Sequence, residues 1–262
     1  MRLLLLLAAY PWLQAPDPAH SLEKRIPPPP GFVRVRADGF GAWLRGLPLK
    51  PGRPQVLLFD GRPKANQEAH VAVADLDTGE LQQCADCVLR LRAEYLWERK
   101  EPIAFEFTSG DRAEWARWRE GWRPVVRGNR VTWKKGASGA GDRADFQRYL
   151  RTVFAYAGTI SLARETGGAT GAVEPGDMFV RGGSPGHVVL VLDVAEKDGK
   201  RVFLLGQGYS PAQDFHVLKN PSDARLSPWY PADFGEELRT PEWTFARGDR
   251  RRFTAKAGPR AP

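Results

Sequence analysis

The stretch Glu174–Asp193, EPGDMFVRGGSPGHVVLVLD, decides how the chain is read. Pro175-Gly176 opens a short strand, Gly182–Gly186 forms a turn, and a second strand begins at His187. The run Val188–Leu192 is β-branched and Leu-rich, the composition of a strand covered on both faces. An imidazole at the head of such a strand, beside a glycine turn, is well placed to face a cleft. A histidine merely bonded into a turn occupies the same position, so the sequence leaves both readings open.

Working outward, Arg201–Gly206 reads as a third strand that closes on Gln207 and is joined to the second by the turn Lys197–Lys200. On the other side, the linker Gly136–Arg143 precedes a helix over Asp145–Glu165. Its apolar face carries Phe146, Tyr149, Leu150, Val153, Phe154 and Ala157. Earlier still, His70–Leu76 and Ile103–Phe107 have strand character. Gly79–Arg99 predicts a helix, with Asp77 and Glu80 at capping-box spacing. Leu81, Cys84, Val88, Leu91 and Tyr95 share its apolar stripe. Arg90, Glu94 and Glu98 follow one another at i,i+4 and read as a solvated face. Trp115, Trp118 and Trp122 are spaced as a helix face and are expected in the core rather than at a sugar site. The tail from Lys219 has little regular pattern and is expected to wrap the body. Trp229, in a proline-flanked loop of that tail, is a candidate for lining a groove.

With 262 residues, 13 Phe and 9 Trp, the chain has ample apolar surface for a full core. The net charge of +8 and pI near 9.7 raise the question of nucleic acid. The basic residues are scattered, however, and no nucleic-acid motif accompanies them. A cluster such as Arg247–Arg252 suits an anionic envelope polymer or peptide better. Met1-Arg2, the apolar block Leu3–Ala9 and a small-residue site at Ala19-His20-Ser21 have the layout of a signal peptide spanning 1–21. The expectation is an exported, periplasmic or extracellular protein with no membrane span. Residues 22–262 then read as one domain. No cofactor is expected: the two cysteines, Cys84 and Cys87, cannot complete a four-ligand zinc site, and no suitably spaced histidine pair lies near them.

From Asp145 to Gln207 the order of helix, glycine-rich loop, PGD strand, GH strand and a strand ending in a polar residue resembles the NlpC/P60 group of papain-like cysteine peptidases and amidases. Pro175–Phe179 matches the group's PGD strand, Gly186-His187-Val188 its base strand, and Gln207 its orienting position. The resemblance implies an α+β fold with a small antiparallel sheet packed against helices, an N-terminal elaboration and a wrapping C-terminal tail. It also implies that His187 is the base and Gln207 its partner. The group has Asp-Cys-Ser-Gly at the helix start, where this chain has Asp145-Phe146-Gln147-Arg148, and phenylalanine cannot be a nucleophile. Over nearly its whole length the chain also resembles an uncharacterised bacterial family known only as a domain of unknown function. The matching segments include Leu47–Lys50, LQQCAD at Leu81–Asp86, Phe107–Gly110, Tyr156–Leu162, the GGSPGH turn and Pro211–Asn220.

Cys84 is the candidate replacement nucleophile, since a thiolate needs a base or a helix N-terminus to lower its pKa. A helix starting at Asp77 would put Cys84 about two turns inside, where the dipole has faded, leaving activation to His187. Gln83, or Gln82 beside it, would supply an oxyanion donor, and Tyr209 and Trp229 would contact substrate. The competing reading buries Cys84 as an inert stripe residue, or bridges it to Cys87. Two functions follow: an exported cysteine hydrolase of amide bonds using Cys84, His187 and Gln207, or an inactive relative that binds an envelope ligand in the same cleft.

Overall fold

The computed structural model describes residues 17–254. The apolar run after the GGSPGH turn becomes the spine of a nine-stranded antiparallel sheet, larger than the small sheet expected. In chain order its strands are β1 (Val33–Arg34), β2 (His70–Val73), β3 (Gly167–Gly168), β4 (Asp177–Arg181), β5 (His187–Lys197), β6 (Lys200–Gln207), β7 (His216–Leu218), β8 (Tyr230–Pro231) and β9 (Arg250–Arg252). They lie in the order β2-β7-β6-β5-β4-β9-β3, with β1 added to β5 and β8 to β6. Asp198 and Gly199, both at positive φ, turn β5 into β6.

Every residue of β5 from His187 to Ala195 is buried, as its composition requires. Alternation sorts the strand between two layers. Val188, Leu190 and Leu192 pack with the helices α1 (Cys84–Glu98), α2 (Arg143–Tyr156) and α3 (Thr159–Glu165), through Val88, Leu91, Phe146 and Leu162. Val189 and Val191 pack with Phe203, Leu205 and the tail residues Leu238 and Phe245. Each such side chain contributes about 1.5–3 kcal/mol on burial. The tail is more regular than its sequence suggests. Glu237–Arg239 and Thr244–Ala246 form a hairpin, and β9 inserts between β4 and β3.

Several expectations change. The helix expected over Asp145–Glu165 is two helices, broken at Ala157-Gly158, where Gly158 caps α3. The helix expected from Asp77 starts instead at Cys84. Gln83 is its cap, and the Gln83 N–H donates to Asp86 Oδ2 at 3.0 Å. The face carrying Arg90 and Glu94 is buried rather than solvated. Arg90 pairs with Asp77 and Gln82, and Glu94 with Arg143 of α2. Part of the basic charge serves the interior too. Arg34 and Arg45 converge on the sealed Asp193 at 2.6 and 2.7 Å, and Arg252 and Arg250 of the run Arg247–Arg252 converge on Asp177.

The apolar block Leu3–Ala9 of the expected signal peptide lies outside the described residues. Ala19-His20-Ser21 lies in folded backbone: the Leu49 N–H donates to His20 O at 2.9 Å, and the Leu22 N–H to Leu47 O at 2.8 Å. Among the described residues no helix is long and apolar enough to cross a membrane.

Candidate functional site

Two glycines shape the head of β5. A side chain at Gly186 would strike Thr159 Oγ1 at 2.3 Å and the Gly183 carbonyl at 2.6 Å, so only glycine lets the chain enter the strand there. A side chain at Gly208, just past β6, would meet Cys87 Sγ at 2.4 Å. The end of β6 therefore lies directly against the first turn of α1, and sequence positions 84, 187 and 207 come to one end of the sheet.

His187 is buried, and its Nε2 lies 2.7 Å from Gln207 Oε1. Tyr209, Trp243 and Phe245 surround the ring, with centroids at 4.7, 5.4 and 5.9 Å. Burial lowers its pKa from 6.5 to about 4, against the opposing pull of the Gln207 bond, so the imidazole is neutral. Gln207 in turn reaches Glu242 Oε2 at 2.7 Å and His216 Nε2 at 3.3 Å through its Nε2. Lys64 closes the chain, donating to Glu242 Oε1 at 2.6 Å and to the Asn66 carbonyl at 2.7 Å. His216 Nδ1 meets the Asp214 carbonyl at 2.9 Å, and burial lowers its pKa to about 3.

Cys84 approaches the same point from the helix layer. As the first residue of α1 it sits at the positive end of the helix rather than inside it. Its thiol lies against the backbone N–H of Val188, the residue after His187. Burial first, and the Asp86 carboxylate second, push that thiol up from 9.0 to about 11, so the resting group is a protonated thiol. Tyr209 senses both sides: its ring packs edge-on to His187, and it couples electrostatically to Cys84 after burial and Glu242. No hydrogen bond joins the Cys84 thiol to the imidazole, and both cysteines are free rather than bridged. Asp86 is itself buried, its pKa is raised to about 7 by burial, and its Oδ1 has no hydrogen-bond partner.

Cys84, His187, Gln207 and Tyr209 are thus gathered, with Gln83 exposed at the helix cap beside them. Gln82 is committed elsewhere, with its Oε1 on Arg90 and its Nε2 3.7 Å from Cys87 Sγ. Trp229 is not a groove residue. It is 2% exposed, and its indole N–H donates to the Pro27 carbonyl at 3.0 Å. Phe146, at the position that the sequence resemblance gives to a cysteine, is fully buried in the core. Nothing in the sequence marks Lys64 or Asp86, His216 reads there as a surface or satisfied residue, and nothing distinguishes Glu242. The available signal was weak: a glutamate between Pro241 and Trp243, and a histidine in a strand-like run.

A groove of about 970 Å³ lies between the sheet and the tail, lined by Phe32, Val173, Phe179, Phe234 and Arg247, and none of the gathered residues faces it. Among the described residues no group of His, Cys, Asp and Glu is arranged to hold a metal. Residues 22–252 match a family model described as Domain of unknown function (4846), which accounts for nearly the whole described chain. No curated protein and no solved structure matches it.

Proposed function

The chain belongs to the family described as Domain of unknown function (4846), and we propose that its members of this form are papain-like cysteine hydrolases acting on an amide bond. One observation carries the reading. Cys84 opens a buried helix instead of lying within it, with its thiol on the amide next to His187. In the NlpC/P60 group the nucleophile also opens the helix that precedes the base strand. Here that helix is α1, and the segment from Arg99 to Glu174 intervenes before the PGD and GH strands. The expected half of the layout is displaced rather than lost.

In this reading the Cys84 S–H proton passes to His187 Nδ1 as sulfur attacks the substrate carbonyl carbon. The C–N bond then breaks, the imidazolium gives its proton to the leaving amine, and an acyl thioester remains on Cys84. Water attacks the thioester, His187 accepts its proton, and return of that proton to sulfur restores the thiol. Gln83, exposed at the cap of α1, would supply the oxyanion donor in this reading. An exported location and an envelope peptide as substrate belong to the same proposal, supported by the N-terminal pattern of charge and apolar block and by the net charge of +8.

A binding module is the second reading. It is favoured by the missing thiol–imidazole hydrogen bond and by two groups that are both neutral at rest. Catalytic hydrogen bonds are often long until substrate binds, so the first reading keeps precedence. Incubation with an activated acyl ester, followed by mass spectrometry of the intact protein, separates them. The hydrolase leaves an acyl adduct on Cys84 that is lost in Cys84→Ala and strongly reduced in His187→Ala. An adduct that forms only after unfolding establishes the binding module.

A further inference from the structure

The polar chain behind His187 has only one consistent direction. Glu242 Oε2 lies 2.7 Å from Gln207 Nε2, and a carboxylate only accepts, so the amide group must present an N–H there. Lys64 Nζ, a donor without acceptor capacity, holds the other oxygen of Glu242 at 2.6 Å. His216 points the same way. Its Nδ1 faces the Asp214 carbonyl at 2.9 Å and must carry the proton, which leaves the Nε2 lone pair facing Gln207 Nε2 at 3.3 Å. Both N–H bonds of Gln207 are thereby assigned, one to Glu242 and one to His216. Its Oε1 is left to face His187 Nε2 at 2.7 Å, and an oxygen acceptor requires that nitrogen to bear the hydrogen.

We infer that Glu242 and His216 are positioning residues that fix the side-chain amide of Gln207, and through it lock His187 as the Nε2–H tautomer with its basic lone pair on Nδ1. This rests on the reading of His187 as the base for Cys84, because the lock matters to catalysis only if Nδ1 accepts the thiol proton. Among the described residues His187 Nδ1 makes no hydrogen bond, which leaves its lone pair open to a proton donor. A glutamine alone cannot enforce this arrangement. Its two ends have the same shape, and a flipped amide would offer N–H to His187 and select the opposite tautomer. The anion held by Lys64 breaks that symmetry. The lock also crosses the fold: Lys64 comes from the loop before β2, His216 from β7 and Glu242 from the tail hairpin, so the tail contributes to the site without touching the thiol.

Long-range proton–nitrogen NMR of the full chain, with histidine labelled in both ring nitrogens, tests the lock without any substrate. His187 is expected as Nε2–H and His216 as Nδ1–H, an opposite pair, both unchanged from neutral pH down to about 5. His187 as Nδ1–H overturns the inference whatever Cys84 does. Replacing the charges together, Lys64→Met with Glu242→Leu, is expected to keep the fold and to mix the His187 tautomers. It is also expected to slow Cys84 alkylation about tenfold. A folded double variant that retains the wild-type tautomer and rate removes Glu242 from the role. The wild-type spectrum remains decisive if the double variant fails to fold. Wild-type alkylation that is indifferent to His187→Ala would instead sink the hydrolase reading and leave the tautomer assignment standing.

Discussion

The two sides of the β5 head are built on opposite principles. On the imidazole side His187, Gln207, Glu242, Lys64 and His216 form a chain in which each donor meets an acceptor and each charge its opposite. On the thiol side two cysteines and a carboxylate share the first turn of α1 under conditions that resist ionisation. Asp86 has a raised pKa and an unpartnered oxygen, and it pushes Cys84 upward. Buried polar groups normally find partners, and those that do not mark stored free energy. In the proposed hydrolase the imidazole side would be prepared in advance and the thiol would wait for it.

The largest effect that separates the sides comes from breaking the buried ion pair. Lys64→Met leaves the Glu242 carboxylate without its counter-charge and is expected to cost about 3–5 kcal/mol in denaturant unfolding. The double replacement with Glu242→Leu is expected to recover most of that. Equal losses in the single and double variants would show that the pair is not a unit.

Acid unfolding resolves the two sides by sign. Unfolded histidines bind protons below about pH 6.5, whereas folded His187 and His216 resist until about 4 and about 3. The unfolded chain therefore holds more protons in that window, and stability falls as pH drops through it, by roughly 3 kcal/mol from His187 alone. Asp86 works in the other direction. Its folded pKa is raised from 3.8 to about 7, so its contribution is lost as pH rises between those values. Asp86→Asn should steepen the acid loss and stabilise the protein above pH 7. A curve of unfolding midpoint against pH that is unchanged in this variant would contradict the picture of a strained thiol side.

The smallest effect falls on the thiol itself. Removing the Asp86 charge is expected to lower the Cys84 pKa by less than about one unit, measured by the pH dependence of alkylation, because burial is the larger cause. A larger drop would make Asp86, rather than burial, the dominant restraint.

The legible and illegible parts of the sequence divide along the same line. β5 was readable because Val188–Leu192 has no polar residue to accommodate, and the order of His187 and Gln207 survived into two adjacent strands. The start of α1 was misplaced because Gly79–Gln83 fits a helical pattern. The structure instead uses Asp77 and Gln82 to hold Arg90, and caps the helix at Gln83. Arg90 and Glu94 looked solvated because their partners are remote or belong to other elements, as with Arg143 of α2. The support behind Gln207 was invisible for the same reason. Lys64 and Glu242 are 178 positions apart, and nothing local marks either as buried. Trp229 was misjudged because flanking prolines suggest a surface loop, whereas its indole fills the core.

Cys84 and His187 approach β5 from different layers, and the proposed hydrolase needs them to form one site. Its most direct test is the rate of Cys84 alkylation by a small haloacetamide, followed from pH 5 to 9 in the wild type and in His187→Ala, with the modified residue identified by mass spectrometry. Loss of the imidazole is expected to slow the reaction at neutral pH by about a hundredfold, while the buried Cys87 stays unmodified in both. Equal rates in the two proteins would contradict it.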